Sequence, residues 1–406
     1  WRRAMSFSFP DRQAWAAAIV IPAMIVVPAN SRTEPRLDVD MSVLASPNPL
    51  LLQGERRGAT SLEVAASPGI TITSPGGSTM DAGGTIRYRN YTRRYGHYLL
   101  GDFRVEGRYR DSEYLTVGGW AGYSRALAID LLASSDDAAG DPRGIRNSWY
   151  GGVDAAWRPN IYTLITPDIR FERAVYADSD LLRNANALTF SLAYARRVGP
   201  RTSIGLRARD TMNSVTGMAG MNSMALYATL NRQLGPRARL LAELGVERAG
   251  RQIEWLEDVK MRRPGRTLLA GRVDLCREPE EGDHALTGCF SAMLNSEISG
   301  FGGLRRDATV SISLSKALGE HFKLRGVSEY RHSSLIGGSL VSAPAPGMRT
   351  STTDAVRNIV MLDWKLRPNV TLTGSAQYLR RQLVTGKRIG SAFIGLQLRY
   401  HFGQRK

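Results

Sequence analysis

The chain reads as an all-β protein, a transmembrane antiparallel up-and-down β-barrel of about 16 strands, within roughly 14–18. Three observations predict this. Long stretches alternate apolar and charged residues with period two, which is a strand lying between two different solvents. Connections come in two kinds, tight Gly/Pro turns and longer polar loops, and they take turns along the chain. No apolar run reaches the ~18 residues that a membrane-spanning helix needs, so a membrane protein of this composition is left with strands.

The N-terminal residues 1–29 carry the pattern of an export signal. Arg2, Arg3 and Arg12 precede an apolar stretch from Ala14 to Val27. Val27-Pro28-Ala29 then offers small residues where a signal peptidase cuts. Pro22 and Pro28 weaken the alternative of a short buried helix. Residues 30–406 form the expected barrel. Its strands are expected near 37–46, 60–73, 79–91, 98–110, 113–131, 148–157, 161–173, 187–197, 201–211, 223–233, 237–249, 306–316, 321–332, 356–366, 369–382 and 390–402. Leu99, Gly101, Phe103, Val105, Gly107 and Tyr109 alternate with Asp102, Arg104, Glu106 and Arg108. Ala238–Val246 repeats the pattern, with Arg239, Glu243 and Glu247 on the opposite face. Such a charged face is too polar for a sandwich core. Short turns recur at 157–160, 198–201, 234–237, 318–321 and 366–369, whereas 132–147, 174–186, 212–222 and 333–355 read as long loops. The short turns belong on the periplasmic side. Residues 250–305 fit neither kind and read as a long extracellular insertion; strand pairs hidden within it would raise the count to eighteen. In the last strand Ile394, Leu396, Leu398, Tyr400 and Phe402 alternate with polar residues. Its aromatic end, Tyr400 and Phe402, is the expected assembly signal read by barrel-assembly machinery. Trp157, Tyr194, Tyr330, Trp364 and Tyr378 suit the aromatic belts at the membrane interfaces.

The formal net charge of +17 does not gather into one patch, arm or helix face, which argues against nucleic-acid binding. Alternation instead sends the charges inward. The expected lumen-facing bases, forming the ion or polymer path, are Arg87, Arg89, Arg104, Arg108, Arg170, Arg207, Arg209, Lys323, Arg325, Arg331 and Arg399, with Lys365 beside them. Asp102, Glu106, Asp168, Glu172, Glu243, Glu247, Glu329 and Asp363 share that face. An excess of bases favours anions in a water-filled channel; equally, the charges pair and simply hydrate the wall. Cys276 and Cys289 sit in one loop-like segment, away from clustered histidines, which leaves a loop-closing disulfide or two free thiols open. His97, His284, His321, His332 and His401 are scattered over turns and strand ends, in no spacing that suits a metal site or a Ser-His-Asp set. Asp38 with Asp40, or Glu278 with Glu280 and Glu281, are loop-type calcium candidates, though solvated acidic runs are commoner. No catalytic constellation, metal site or cofactor is expected, and the chain reads as a non-enzyme.

Leu44-Ala45-Ser46-Pro47-Asn48-Pro49-Leu50, Ser67-Pro68-Gly69-Ile70-Thr71-Ile72, Ser134-Ser135-Asp136-Asp137 and Trp157-Arg158-Pro159-Asn160 resemble segments of an outer-membrane β-barrel porin family associated with exopolysaccharide or capsule export. The resemblance covers roughly 40–402 and leaves 250–305 aside. It implies a Gram-negative outer-membrane location and a conduit for an exported, anionic polysaccharide. It also implies outer-membrane lipid, periplasmic export components and that polymer as partners. Two alternatives are a general anion-preferring diffusion porin and a plugged barrel serving as a surface interaction protein.

Overall fold

The structure, a computed structural model, describes residues 31–402 apart from 56, 93–94, 133–134, 136–140, 178, 180–181, 217–220, 251, 257–258, 264, 279–285, 299–303, 337–351 and 384–385. The expected signal segment 1–29 therefore lies outside the described residues. The strands are β1 (Arg32–Ser46), β2 (Ala59–Thr73), β3 (Thr79–Tyr91), β4 (His97–Arg110), β5 (Leu115–Leu127), β6 (Ile145–Asn160), β7 (Thr163–Ala177), β8 (Ala185–Gly199), β9 (Thr202–Val215) and β10 (Met221–Gln233). There follow β11 (Ala238–Ala249), β12 (Gln252–Leu256), β13 (Val259–Arg263), β14 (Arg266–Arg277), β15 (Thr287–Ile298), β16 (Leu304–Ala317), β17 (Phe322–Leu335), β18 (Thr352–Arg367), β19 (Val370–Gln382) and β20 (Arg388–Phe402).

Each strand other than β12 and β13 pairs antiparallel with its neighbours in one 18-stranded sheet. The sheet shuts on itself because β20 lies against β1, with Leu37 opposite Phe402 and Ala45 opposite Ile394. Full closure removes every unpaired edge, which is the condition for strands to stand in hydrocarbon. Along the seam the Arg399 guanidinium meets the Asp40 carboxylate at 2.6 Å, Gln397 donates to the same carboxylate at 2.9 Å, and His401 meets Asp38. Register shifts fall between Trp157 and Asn160, Arg197 and Gly199, and Lys365 and Arg367. All three are beside short turns, where extra twist turns the chain at the barrel rim.

All sixteen expected strands are present, and the count is eighteen rather than about 16. The two additional strands lie in 250–305. This segment is not one long loop: β14 and β15 are full members of the barrel wall, and only β12 and β13 stand apart as a small hairpin. The alternation is blurred there. Leu268-Leu269-Ala270 interrupts β14, and Ser291, Ala292 and Met293 give β15 little contrast between its faces. Cys276 and Cys289 consequently sit on strands, directly opposite one another across β14 and β15, and they form a disulfide. β5 ends at Leu127, earlier than expected, because Ala128–Leu131 turn inward as a 3-10 helix.

Candidate functional site

Alternation fixes which side chains face outward. Ile86, Leu99, Leu206, Leu244, Leu269 and Ile394 are exposed on the outer surface, while their sequence neighbours Arg87, Arg207, Glu243 and Ala270 point inward. Trp157, Tyr194, Tyr330, Trp364 and Tyr378 are exposed on that same outer face, and Phe322 stacks on Trp364 with ring centroids 5.7 Å apart. A closed ring with an apolar exterior and a charged interior has one stable solvent arrangement, lipid outside and water within. The protein is an outer-membrane barrel, with the short turns gathered at one end.

The lumen wall is dominated by ion pairs. Arg89 contacts Glu63 at 2.6 Å and Asp130 at 3.0 Å. Arg104 meets Glu106 at 2.7 Å, and Arg108 reaches the same carboxylate at 3.7 Å. Arg170 binds Asp168 at 2.5 Å and lies over the Trp120 ring. That ring is seated on Gly152, where an added Cβ would fall 2.5 Å from it; only glycine leaves room. Arg207 pairs with Glu243 at 3.3 Å; Arg209 lies 3.8 Å from the fully buried Glu247 and over Tyr227. Arg325 holds Asp363 at 2.6 Å, with Lys323 opposite Asp363 in the register. Arg331 and Asp307, both nearly inaccessible, meet at 2.6 Å. Glu329 pairs with Arg357 at 3.5 Å, and Glu172 with Arg146 at 2.6 Å. Most of the lumen bases expected from the sequence are thus paired with carboxylates along the wall. Arg87 is different. It makes no side-chain hydrogen bond or ion pair among the described residues, and its Nε is occluded without a partner.

The calcium candidates Asp38 and Asp40 are not in a loop. They lie on β1 and are taken by His401 and Arg399. Glu280 and Glu281 lie outside the described residues, as does His284. His332 pairs with Asp354 on the outward face at 2.7 Å. Tyr400 and Phe402 are both exposed on the outer face, their rings 4.3 Å apart.

The sequence reading missed what occupies the lumen near the end opposite the short turns. Two loops fold inward and pack together. The loop after β1 brings Leu50 and Leu51, both 0% exposed, against Tyr91, Tyr95, Leu100 and Phe393. Asn48 organises its turn: Nδ2 donates to the Leu52 carbonyl at 2.9 Å, and Oδ1 accepts from the Leu52 amide at 2.9 Å. Its own amide donates to Ser391 Oγ on β20 at 3.1 Å. Leu51 sits in the left-handed region at φ 49°, a conformation that L-residues with a side chain adopt only under constraint. The constraint is Arg381 on β19, whose Nε and Nη2 donate to the Leu51 carbonyl at 3.2 and 2.9 Å. The second loop follows β5. Leu127, Ala128, Ile129 and Leu132 join the same apolar cluster, and Asp130 is held by Arg89. Leu132 and Ser135 reach a small cavity shared with Arg331, Thr353 and Arg381, so this loop extends to the wall of β17–β19. The only sequence signal for this plug was apolar residues where a loop was due.

Beneath the plug, the inner wall of β20 and β1–β4 carries two adjoining recesses. One, of about 1230 Å³, runs from Arg32 and Arg36 near the short-turn mouth past Thr71 and Asp81 to Thr85 and Asp102. A Cβ on Gly84 would lie 2.3 Å from the Asp102 carbonyl, so the bare backbone sets the depth of this floor. The other, of about 370 Å³, shares Ser67, Thr85 and Asp102 and adds Asp40, Glu63, Arg87 and Arg399.

No protein-family model matches the chain, and no curated protein matches it. Among solved structures, the chain is similar to OccAB2 of Acinetobacter baumannii at 9% identity and TM-score 0.48, covering 92% of this chain and 98% of that one. It is similar to OpdK of Pseudomonas aeruginosa at 11% identity and TM-score 0.47, covering 92% and 99%. An anion-selective porin from Comamonas acidovorans gives 11% identity and TM-score 0.40, covering 92% and 100%.

Proposed function

We propose that the protein is a porin-like diffusion channel for small hydrophilic solutes, with a modest preference for anions. The observation that carries this reading is the plug. A barrel of eighteen strands is wide enough to hold water, yet two loops built around Leu50, Leu51, Ile129 and Leu132 narrow its extracellular end. A long polymer thread needs a continuous open bore, so the narrowing favours a small-solute channel over a polysaccharide conduit. The excess of lysine and arginine supports the anion preference. The pairing of most lumen bases with carboxylates keeps that preference modest. In the same reading residues 1–29 are a cleaved export signal, and the outward Tyr400 and Phe402 guide insertion by barrel-assembly machinery. Periplasmic export components are not needed for passive diffusion. Planar-bilayer recordings of the purified protein test the proposal. Discrete conductance with a reversal potential displaced toward the anion is expected in a KCl gradient. Strong cation selectivity, or release of a periplasmically trapped polymer on complementing a deletion strain, overturns it.

A further inference from the structure

We infer that Arg87 and Asp102 form a recognition subsite for a carboxylated sugar, directly beneath the plug. The inference deepens the channel reading and rests on it for its physiological sense. Many charged groups of the wall are neutralised by a neighbour; a base and an acid on adjacent strands, Arg87 and Asp102, are not. Arg87 on β3 and Asp102 on β4 make no side-chain hydrogen bond or ion pair among the described residues. They occupy neighbouring register positions, Thr85 standing opposite Asp102 and Arg87 opposite Leu100. Both line the recess of about 370 Å³, a volume within the usual range for small-molecule sites.

The other charges of that recess are already committed. Asp40 is held by Arg399 and Gln397, and Glu63 by Arg89. Ser67 and Thr85 share a hydrogen bond at 3.0 Å. What remains for a solute is one guanidinium, which is a fork of donors suited to a carboxylate, and one carboxylate, which only accepts. A ligand matching this pair must carry an anionic oxygen pair and, a short distance away, hydrogen-bond donors such as hydroxyls. A uronic acid has both on one ring. A neutral hexose gives the guanidinium no counter-charge, and a simple carboxylate leaves Asp102 unused. Position supports the assignment as well. Arg89 and Tyr91, on the same face of β3 as Arg87, are part of the plug or bonded to it. A solute entering from the periplasm along the larger recess therefore meets Arg87 immediately before the narrowing.

Sodium glucuronate is the test ligand, with glucose, acetate and glycine for comparison. Its binding to detergent-solubilised protein is measured by calorimetry, and its block of KCl current in planar bilayers. Glucuronate should bind and block the wild type, and Arg87→Gln should weaken both by about tenfold or more, the value of one lost charge-assisted hydrogen bond. Asp102→Asn should weaken glucuronate but leave acetate unchanged. Lys323→Gln removes a base elsewhere on the wall and should leave glucuronate affinity unchanged. Heat-modifiable mobility confirms that each variant folds. The subsite is overturned if Arg87→Gln binds glucuronate like the wild type, if Lys323→Gln weakens it equally, or if glucose or glycine binds as well. Failure of the wild type to conduct KCl would sink the channel reading alone, since the calorimetric arm does not depend on conduction.

Discussion

At the level of single residues, Arg381 and Leu51 define the plug's most exposed weakness. Arg381 is 2% exposed, donates twice to one carbonyl, and has an Nη1 without a partner. Leu51 is held at a positive φ that its own side chain disfavours by about 1–2 kcal/mol. Replacing Arg381 with Met keeps the bulk and removes both hydrogen bonds, so the loop after β1 should relax. Single-channel conductance of Arg381→Met should rise and its noise increase; an unchanged open level would show that the loop is held by apolar packing alone. The same residues mark the boundary of what a sequence discloses. Arg381 could be assigned to a strand, and alternation would point it inward, but its partner is 330 residues away. No local pattern encodes that encounter. Arg87 was legible as a lumen base from the Ile86-Arg87-Tyr88 alternation, whereas its lack of a partner depends on every neighbouring strand.

Among the elements, the β14–β15 pair departs furthest from the sequence reading. Strands were easy to recognise where lipid and water impose opposite demands, as in Leu99–Tyr109. They were hidden where both faces carry small or weakly polar side chains, as in Thr287–Ile298. The disulfide joins these two weakly marked strands across a separation of 13 residues, and a bridge of that span contributes about 3 kcal/mol in a chain-entropy account. Titration of the denatured, unreduced protein with a thiol reagent should find no free cysteine. The Cys276→Ser, Cys289→Ser double variant should fold, and it should lose its heat-stable mobility at a lower temperature than the wild type. A midpoint identical to wild type would mean that the strand ladder alone fixes this hairpin.

For the molecule as a whole, closure is the controlling property. β20 is antiparallel to both β1 and β19, so without it β1 and β19 would have to pair in parallel or remain open. Ending the chain before Arg388 should abolish the compact, fast-migrating species seen before boiling on detergent gels. A truncated product that still shifts on boiling would show that the ring can close without its last strand. The seam's ion pairs, Asp40 with Arg399 and Asp38 with His401, lie on the lumen side. Only apolar contact is left to face lipid there, which keeps charge out of the hydrocarbon.

The cysteine bridge joins the end of β14 to the start of β15, and thiols pair stably only in an oxidising compartment. Its redox state is therefore a chemical record of transit. Precursor still in the cytoplasm carries two thiols and delivered protein carries none, so a brief alkylation pulse on growing cells would read out the rate of delivery without any tag on the polypeptide.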